Sequence, residues 1–203
     1  MKSDIELKPL SERFDHLVSV ISGERFLKMQ GLNNEVPFFI CPYKAEEALD
    51  MGRIVGNVKK QLSNDGVHVL HINLYDLCIE LLRSRDIFDS LIDSESTVSK
   101  DELKELLQGV LDPEAHLIPA ISEKISDAEI DVLFLSGVGE VFPYLRSHNI
   151  LNNLQSSAKD KPTVMFFPGS YSYSDEEGAS LDLFGRLHDD KYYRAFNIYR
   201  YET

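Results

Sequence analysis

Two stretches of this chain gather side chains that could do chemistry. Arg146, His148, Asn149, Asn152 and Asn153 fall within one short segment. Helical spacing would set Arg146, Asn149 and Asn153 in one line and His148 beside Asn152 in another. Amides and an imidazole are costly to bury unless hydrogen-bonded. The row therefore implies either bonds to loop backbone at a sheet's carboxyl edge or a polar binding site there. The second stretch reads Arg186-Leu-His188-Asp189-Asp190, with Tyr192, Tyr193 and Arg194 following. A histidine beside two carboxylates raises the question of a metal. Neighbours in sequence diverge, however, so His188 and Asp189 would need ligands from elsewhere, such as His148 or His116. Contact is the simpler use, because Tyr and Arg dominate interface energetics. Arg186, His188, Asp189, Asp190, Tyr193 and Arg194 thus join the first row as candidate polar or partner-binding residues, and neither stretch supplies a catalytic set.

Other chemistries fare worse. A phosphate loop needs glycines after the first strand and a Lys-Ser/Thr pair, whereas this chain has Cys41-Pro-Tyr-Lys-Ala-Glu-Glu47, with Glu46 and Glu47 where an anion would sit. An active P-loop NTPase is excluded, and a degenerate relative of that fold stays open. Gly137-Val-Gly139 lacks the third glycine of a dinucleotide fingerprint, and Glu140 would repel a pyrophosphate. No serine occupies a GxSxG elbow. His68 and His71, three apart on one strand, point to opposite faces and make no shared site. The acidic run from Asp86 through Glu105 reads as a solvated face, or as a docking surface for a basic partner.

These residues need a scaffold, and its centre is the stretch Asp131–Gly169. Asp131–Leu135 and Thr163–Phe167 are short apolar runs suited to buried parallel strands. Between them the pattern predicts one amphipathic helix with Pro143 in its first turn and Val141, Tyr144, Leu145, Leu151 and Leu154 as its apolar stripe. Pro168-Gly169 should stop the second strand, and Ser170–Gly178 reads as a polar aromatic loop. Upstream, Ser11 can cap a helix with Phe14, Leu17, Val18 and Ile21 inward, and that helix packs on the sheet's edge or meets a partner. Strands follow at 35–42 and 67–73, with a helix from Ala45 to Leu62 between them. The helical insertion 86–127 comes next, where Ser99 and Glu102 make a capping box and Asp112-Pro113 opens another helix. The expected architecture is one α/β domain over residues 1–203: a mostly parallel central sheet of about four strands flanked by helices, Rossmann-like or degenerate P-loop-like. An N-terminal helical segment (1–30) and the insertion between strands two and three complete it.

With 203 residues, 43% of them apolar, the chain can bury a sizeable core, and its net charge of −13 argues against gripping a nucleic-acid backbone directly. Its two cysteines lie in apolar segments and read as reduced core thiols. The start carries no apolar signal region and no run reaches membrane-spanning length, so a soluble, cytoplasmic protein is expected.

Several motifs read together resemble a known family. They are NEVPFFICPY at Asn34–Tyr43, HINLYDLCIELL at His71–Leu82, LQGVLDPEAHLIPAI at Leu107–Ile121 and FLSGVGEVFPYLRSHNILNNLQ from Phe134. KPTVMFFPGSY from Lys161 and FGRLHDDKYYRAFN from Phe184 complete the set. Over Leu10 to Arg200 the chain is similar to the BrxB family of bacteriophage exclusion (BREX) phage-defence systems. The resemblance implies a non-enzymatic accessory or assembly component without cofactor or metal. It would act by protein–protein interaction with PglZ, an alkaline-phosphatase-superfamily protein, and within larger assemblies with the BREX methyltransferase and ATPase; a homodimer is compatible with it. Two other readings stand beside this one: a metal-dependent nuclease or phosphohydrolase built on His188, Asp189 and residues from the helix within Asp131–Gly169, and a nucleotide-binding regulator with a degenerate phosphate loop.

Overall fold

The strand segments are apolar at successive positions, and a strand of that pattern needs cover on both faces. A computed structural model, which describes residues 5–30, 36–174, 178–188 and 195–201, shows where the cover comes from. Helices α1 (Leu10–Ile21) and α2 (Glu24–Leu27) precede β1 (Phe38–Tyr43). Next come α3 (Ala48–Asn64), β2 (Val69–Asn73), then α4 (Leu74–Ser84), α5 (Phe88–Glu95), α6 (Lys100–Val110) and α7 (Ile118–Ser126), and β3 (Val132–Ser136). Helix α8 (Ser147–Leu154) leads to β4 (Thr163–Ser174), β5 (Gly178–Leu183), β6 (Leu187–His188) and β7 (Phe196–Asn197).

Strands β2, β3, β4, β1 and β7 lie side by side in that order, all parallel. This is the expected α/β class: a mostly parallel sheet flanked by helices, with a helical insertion between the second and third strands. Successive side chains alternate between two cores. Phe38, Ile40, Leu133, Leu135, Met165 and Phe167 face α4–α8. Phe39, Cys41, Val132, Phe134, Val164 and Phe166 face α1 and α3. Each such side chain contributes about 1.5–3 kcal/mol relative to exposure.

Local signals set several element ends as expected. Ser99 Oγ accepts from the Glu102 N–H at 3.2 Å while Glu102 accepts from the Ser99 N–H at 2.8 Å, and Asp112 accepts from the Ala115 N–H at 2.8 Å. Both cysteines are buried and free, and burial pushes each thiol up to about 12.

Four expectations are corrected. Helix α1 begins at Leu10 after Pro9, so Ser11 lies inside it, and its inward face is Arg13, Leu17, Val20 and Ile21, packed on α3. Helix α8 starts at Ser147, leaving Val141, Pro143, Tyr144 and Leu145 in the preceding loop. That loop is held by turns from Gly137 (φ +76) and Val141, and regular helix begins only at Ser147. Strand β4 passes through Pro168-Gly169 instead of stopping there. Up to Pro168 it pairs in parallel with β1, and from Gly169 it pairs antiparallel with β5. Finally, the expected loop after Gly169 is the hairpin β4–β5, and with β6 and β7 the sheet has seven strands rather than about four.

Candidate functional site

Ligands of doubly wound sheets lie at the carboxyl ends of the strands, where the connections diverge to opposite faces. Here the chain leaves β1 on the α3 side, whereas the continuation of β4 places Tyr171, Leu181 and Leu183 in the opposite core. The divergence falls between β1 and β4, where Tyr43 lies beside Pro168. This crevice is filled by the chain itself. A Cβ on Gly139 would sit 2.9 Å from both Pro168 Cγ and the Phe184 ring, so the 137–146 loop is pressed against the end of β4 and the turn after β5. Burial raises the Tyr43 hydroxyl to about 12, with Cys41 and the Glu140 carboxylate adding to the rise.

The position of a phosphate loop is closed from within. Glu47 Oε2 accepts from the Lys44 N–H at 3.3 Å and from Arg13 at 2.6 Å. Arg13 is only 2% exposed and its partner 29%. Burial disfavours the charged guanidinium, but Glu47 and Tyr199 outweigh it and leave Arg13 raised. Tyr199 in turn accepts from the Cys41 thiol at 3.2 Å. Sequence reasoning placed a carboxylate where an anion would sit but missed Arg13, whose partner is 34 positions away.

A second polar contact escaped the sequence reading. At the ends of β2 and β3, His71 Nε2 lies 2.8 Å from Ser136 Oγ, and both are half-buried. Asn73 beside them caps α4, accepting from the Tyr75 N–H at 2.8 Å. A serine bonded to an imidazole is one half of a nucleophile relay, but among the described residues no carboxylate holds the other ring nitrogen. His68 points elsewhere, to Asp131, so the two histidines share no site, as expected. Burial holds the His71 pKa below 6.5, with Lys59 adding and Asp76 opposing. The folded state therefore binds fewer protons than the unfolded chain as pH drops below about 6.5, and stability should fall with pH in that window. Urea midpoints at pH 7.5 and 5.5 test this: His71→Gln should flatten the difference, and an unchanged slope would show that other groups cause it.

The two candidate stretches come together. A shallow depression of about 270 Å³, open mouth included, is lined by Val138, Phe142 and Leu145 from the loop, Arg146 and Ser147 at the start of α8, and Leu183 and Leu187 from the β5–β6 hairpin. Arg146 precedes α8 rather than standing in line with Asn149 and Asn153, and its guanidinium lies 5.7 Å from the Phe142 ring centre. Asn149 and Asn152 are exposed, His148 is half-buried, and Asn153 donates to the Asn149 carbonyl at 2.8 Å within its own helix. Arg186 is exposed in the tight turn between β5 and β6, and His188 ends β6 opposite Asp182. Asp189, Asp190, Tyr192, Tyr193 and Arg194 lie outside the described residues, so the proposed metal set on His188 and Asp189 does too. Among the described residues no three His, Cys, Asp or Glu side chains gather to hold a metal. The site's apolar members, Val138, Leu183 and Leu187, were not singled out from sequence, although the alternation of Ala179, Leu181 and Leu183 with Ser180 and Asp182 is a strand signal.

Fold and site together define a doubly wound α/β protein whose strand-end crevice is closed by its own loop and which carries, among the described residues, a shallow apolar depression lined by Arg146. Comparison with known proteins is then decisive. The family model described as "BREX protein BrxB" matches residues 70–198. A "BREX protein BrxB" of Bacillus cereus (strain H3081.97) is 32% identical over 95% of this chain and 98% of its own length. Another, of Escherichia coli O9:H4 (strain HS), is 30% identical over 93% and 91%. The chain belongs to the BrxB family. No solved structure matches it. Among the described residues no helix is long and apolar enough to cross a membrane.

Proposed function

We propose that this protein is a non-enzymatic assembly component of a cytoplasmic BREX phage-defence complex and that it binds PglZ. Its BrxB family membership gives the defence context. The observation that supports action by contact is the closed crevice. Gly139, Pro168 and Phe184 meet where a doubly wound sheet would seat a small molecule, and the Glu47 carboxylate takes the anion position after β1. What this surface offers instead is apolar side chains beside Arg146, residue types common in interface hot spots. The methyltransferase and ATPase of the system join through the same complex.

The test is size-exclusion of the purified chain with PglZ of its own system at micromolar concentration. A shared peak at the summed mass is expected. Separate elution of two folded proteins would overturn the partner assignment, and turnover of a nucleotide or phosphoester by the purified chain would overturn the non-enzymatic one.

A further inference from the structure

Helices α5 and α6 carry apolar stripes wider than the fold covers. On α6, Leu103, Leu106, Leu107 and Val110 recur at helical spacing, yet only Leu107 is buried. Leu103 and Val110 are half-buried, and Leu106 is 40% exposed. On α5, Leu91 turns into the core, while Ile92, one turn on from the half-buried Phe88, keeps 52% of its surface exposed. The two helices are consecutive, joined by residues 96–99. Helix α6 is held at both ends. The Ser99–Glu102 box closes its start, and near its end Arg85 donates to the Val110 carbonyl at 2.5 Å and Gln108 to the Pro143 carbonyl at 3.3 Å. Aliphatic surface left in water on a fixed helix gains free energy when a partner covers it.

Charge narrows what that partner is. Residues 86–110 hold seven acidic side chains, all exposed, against two lysines. Asp89 and Glu95 lie three positions either side of Ile92, and Glu102 lies four before Leu106. Helical geometry therefore sets carboxylates beside both exposed aliphatic side chains. Such a field repels nucleic-acid phosphates, anionic lipid headgroups and a second copy of this chain, whose net charge is −13. It attracts lysine and arginine. A protein segment carrying basic and aliphatic side chains together fits both features.

Resting on the partner reading above, we infer that the outer face of α5–α6 is the docking surface for a basic, aliphatic-bearing segment of the partner protein. Ile92 and Leu106 take its apolar side chains, and the carboxylates around them take its lysines and arginines. The two parts divide the work: the apolar contact sets the dissociation rate, and the charged rim sets the association rate and its salt dependence.

Titration calorimetry of the full chain against PglZ tests it with three double variants. Ile92→Gln with Leu106→Gln should weaken binding at least about tenfold at low and high salt alike. Asp89→Lys with Glu95→Lys should weaken it about tenfold at low salt, with the gap closing at about 0.5 M. Asp15→Lys with Glu46→Lys makes the same change of net charge at exposed positions beside α1 and α3, which cover the opposite side of the sheet. That variant should bind within about threefold of wild type. Wild-type affinity in both α5–α6 variants would overturn the docking face and leave the partnership standing. An equal loss in the Asp15–Glu46 variant would do the same, because net charge alone would then set the affinity. Absence of binding by the wild-type chain would overturn both. Asp89 and Glu95 occupy the first and last turns of α5, where reversed charges act oppositely on the helix dipole. Their variant therefore keeps its fold, and it decides alone if the glutamine variant shows a lowered melting temperature.

Discussion

Glu47→Ala is expected to destabilise the protein by about 3 kcal/mol, the lower end for removing one partner of a buried pair, because Glu47 itself keeps 29% exposure. Arg13 is held almost wholly out of water between α1 and α3, and its Nε finds no hydrogen-bond partner among the described residues. Its desolvation is offset chiefly by one carboxylate oxygen at 2.6 Å and by the Tyr199 hydroxyl. Without that carboxylate the charge remains buried, and guanidinium does not escape by deprotonation. The double variant Arg13→Met with Glu47→Leu removes both the attraction and the desolvation cost, so it should recover most of the loss. Urea denaturation of the two single variants and the double one closes the cycle. An Arg13→Met variant as unstable as Glu47→Ala, without recovery in the double, would mean that packing rather than charge ties α1 to α3.

This pair also shows where sequence reading stops. The inward face of α1 is Arg13, Leu17, Val20 and Ile21, yet apolarity alone selects Phe14 and Val18, since nothing local announces that a charge will meet its partner 34 residues on. Where the determining interaction is local, the sequence pattern suffices. Ser99 and Glu102 satisfy one another across three residues, and the apolar runs of β3 and β4 demand cover on both faces whatever surrounds them. Prolines were read by their average effect. Pro143 was placed in a first helical turn and Pro168 at a strand end. In the fold, Pro143 lies in a turn closed by Val141, four residues before α8, and Pro168 needs no N–H where β4 exchanges parallel neighbours for β5. The candidate site was legible in its two arginine-bearing segments, Arg146 and Arg186. Its meeting point was not, because it depends on a hairpin folding back over the 137–146 loop.

That hairpin depends on one glycine, and Gly169→Ala is expected to be the most damaging glycine-to-alanine change among the described glycines. A Cβ there would lie 2.1 Å from the Asp182 carbonyl oxygen and 2.8 Å from the Phe167 ring. The first neighbour is backbone of the paired strand, which cannot turn aside as a side chain can. Relief therefore requires β5 to move off β4, breaking the ladder from Gly169–Leu183 to Ser174–Gly178. Overpacking of a well-filled site costs about 1–3 kcal/mol, and a backbone clash in a paired strand belongs at the upper end, about 3 kcal/mol. Leu181 and Leu183 leave the core with β5, and Phe184 loses its hold on the Pro168 carbonyl. Gly139→Ala meets only side-chain atoms, Pro168 Cγ and the Phe184 ring, and should cost about half as much. Gly169→Ala should therefore lower the melting temperature by more than Gly139→Ala, which should displace the Phe184 ring with a smaller thermal shift. Hydrogen exchange read at the amides of Leu181 and Leu183 checks the mechanism, since fast exchange is expected in Gly169→Ala at temperatures where the parallel strands stay protected. Uniform loss of protection across the sheet would instead show that β5 and the parallel sheet unfold as one unit.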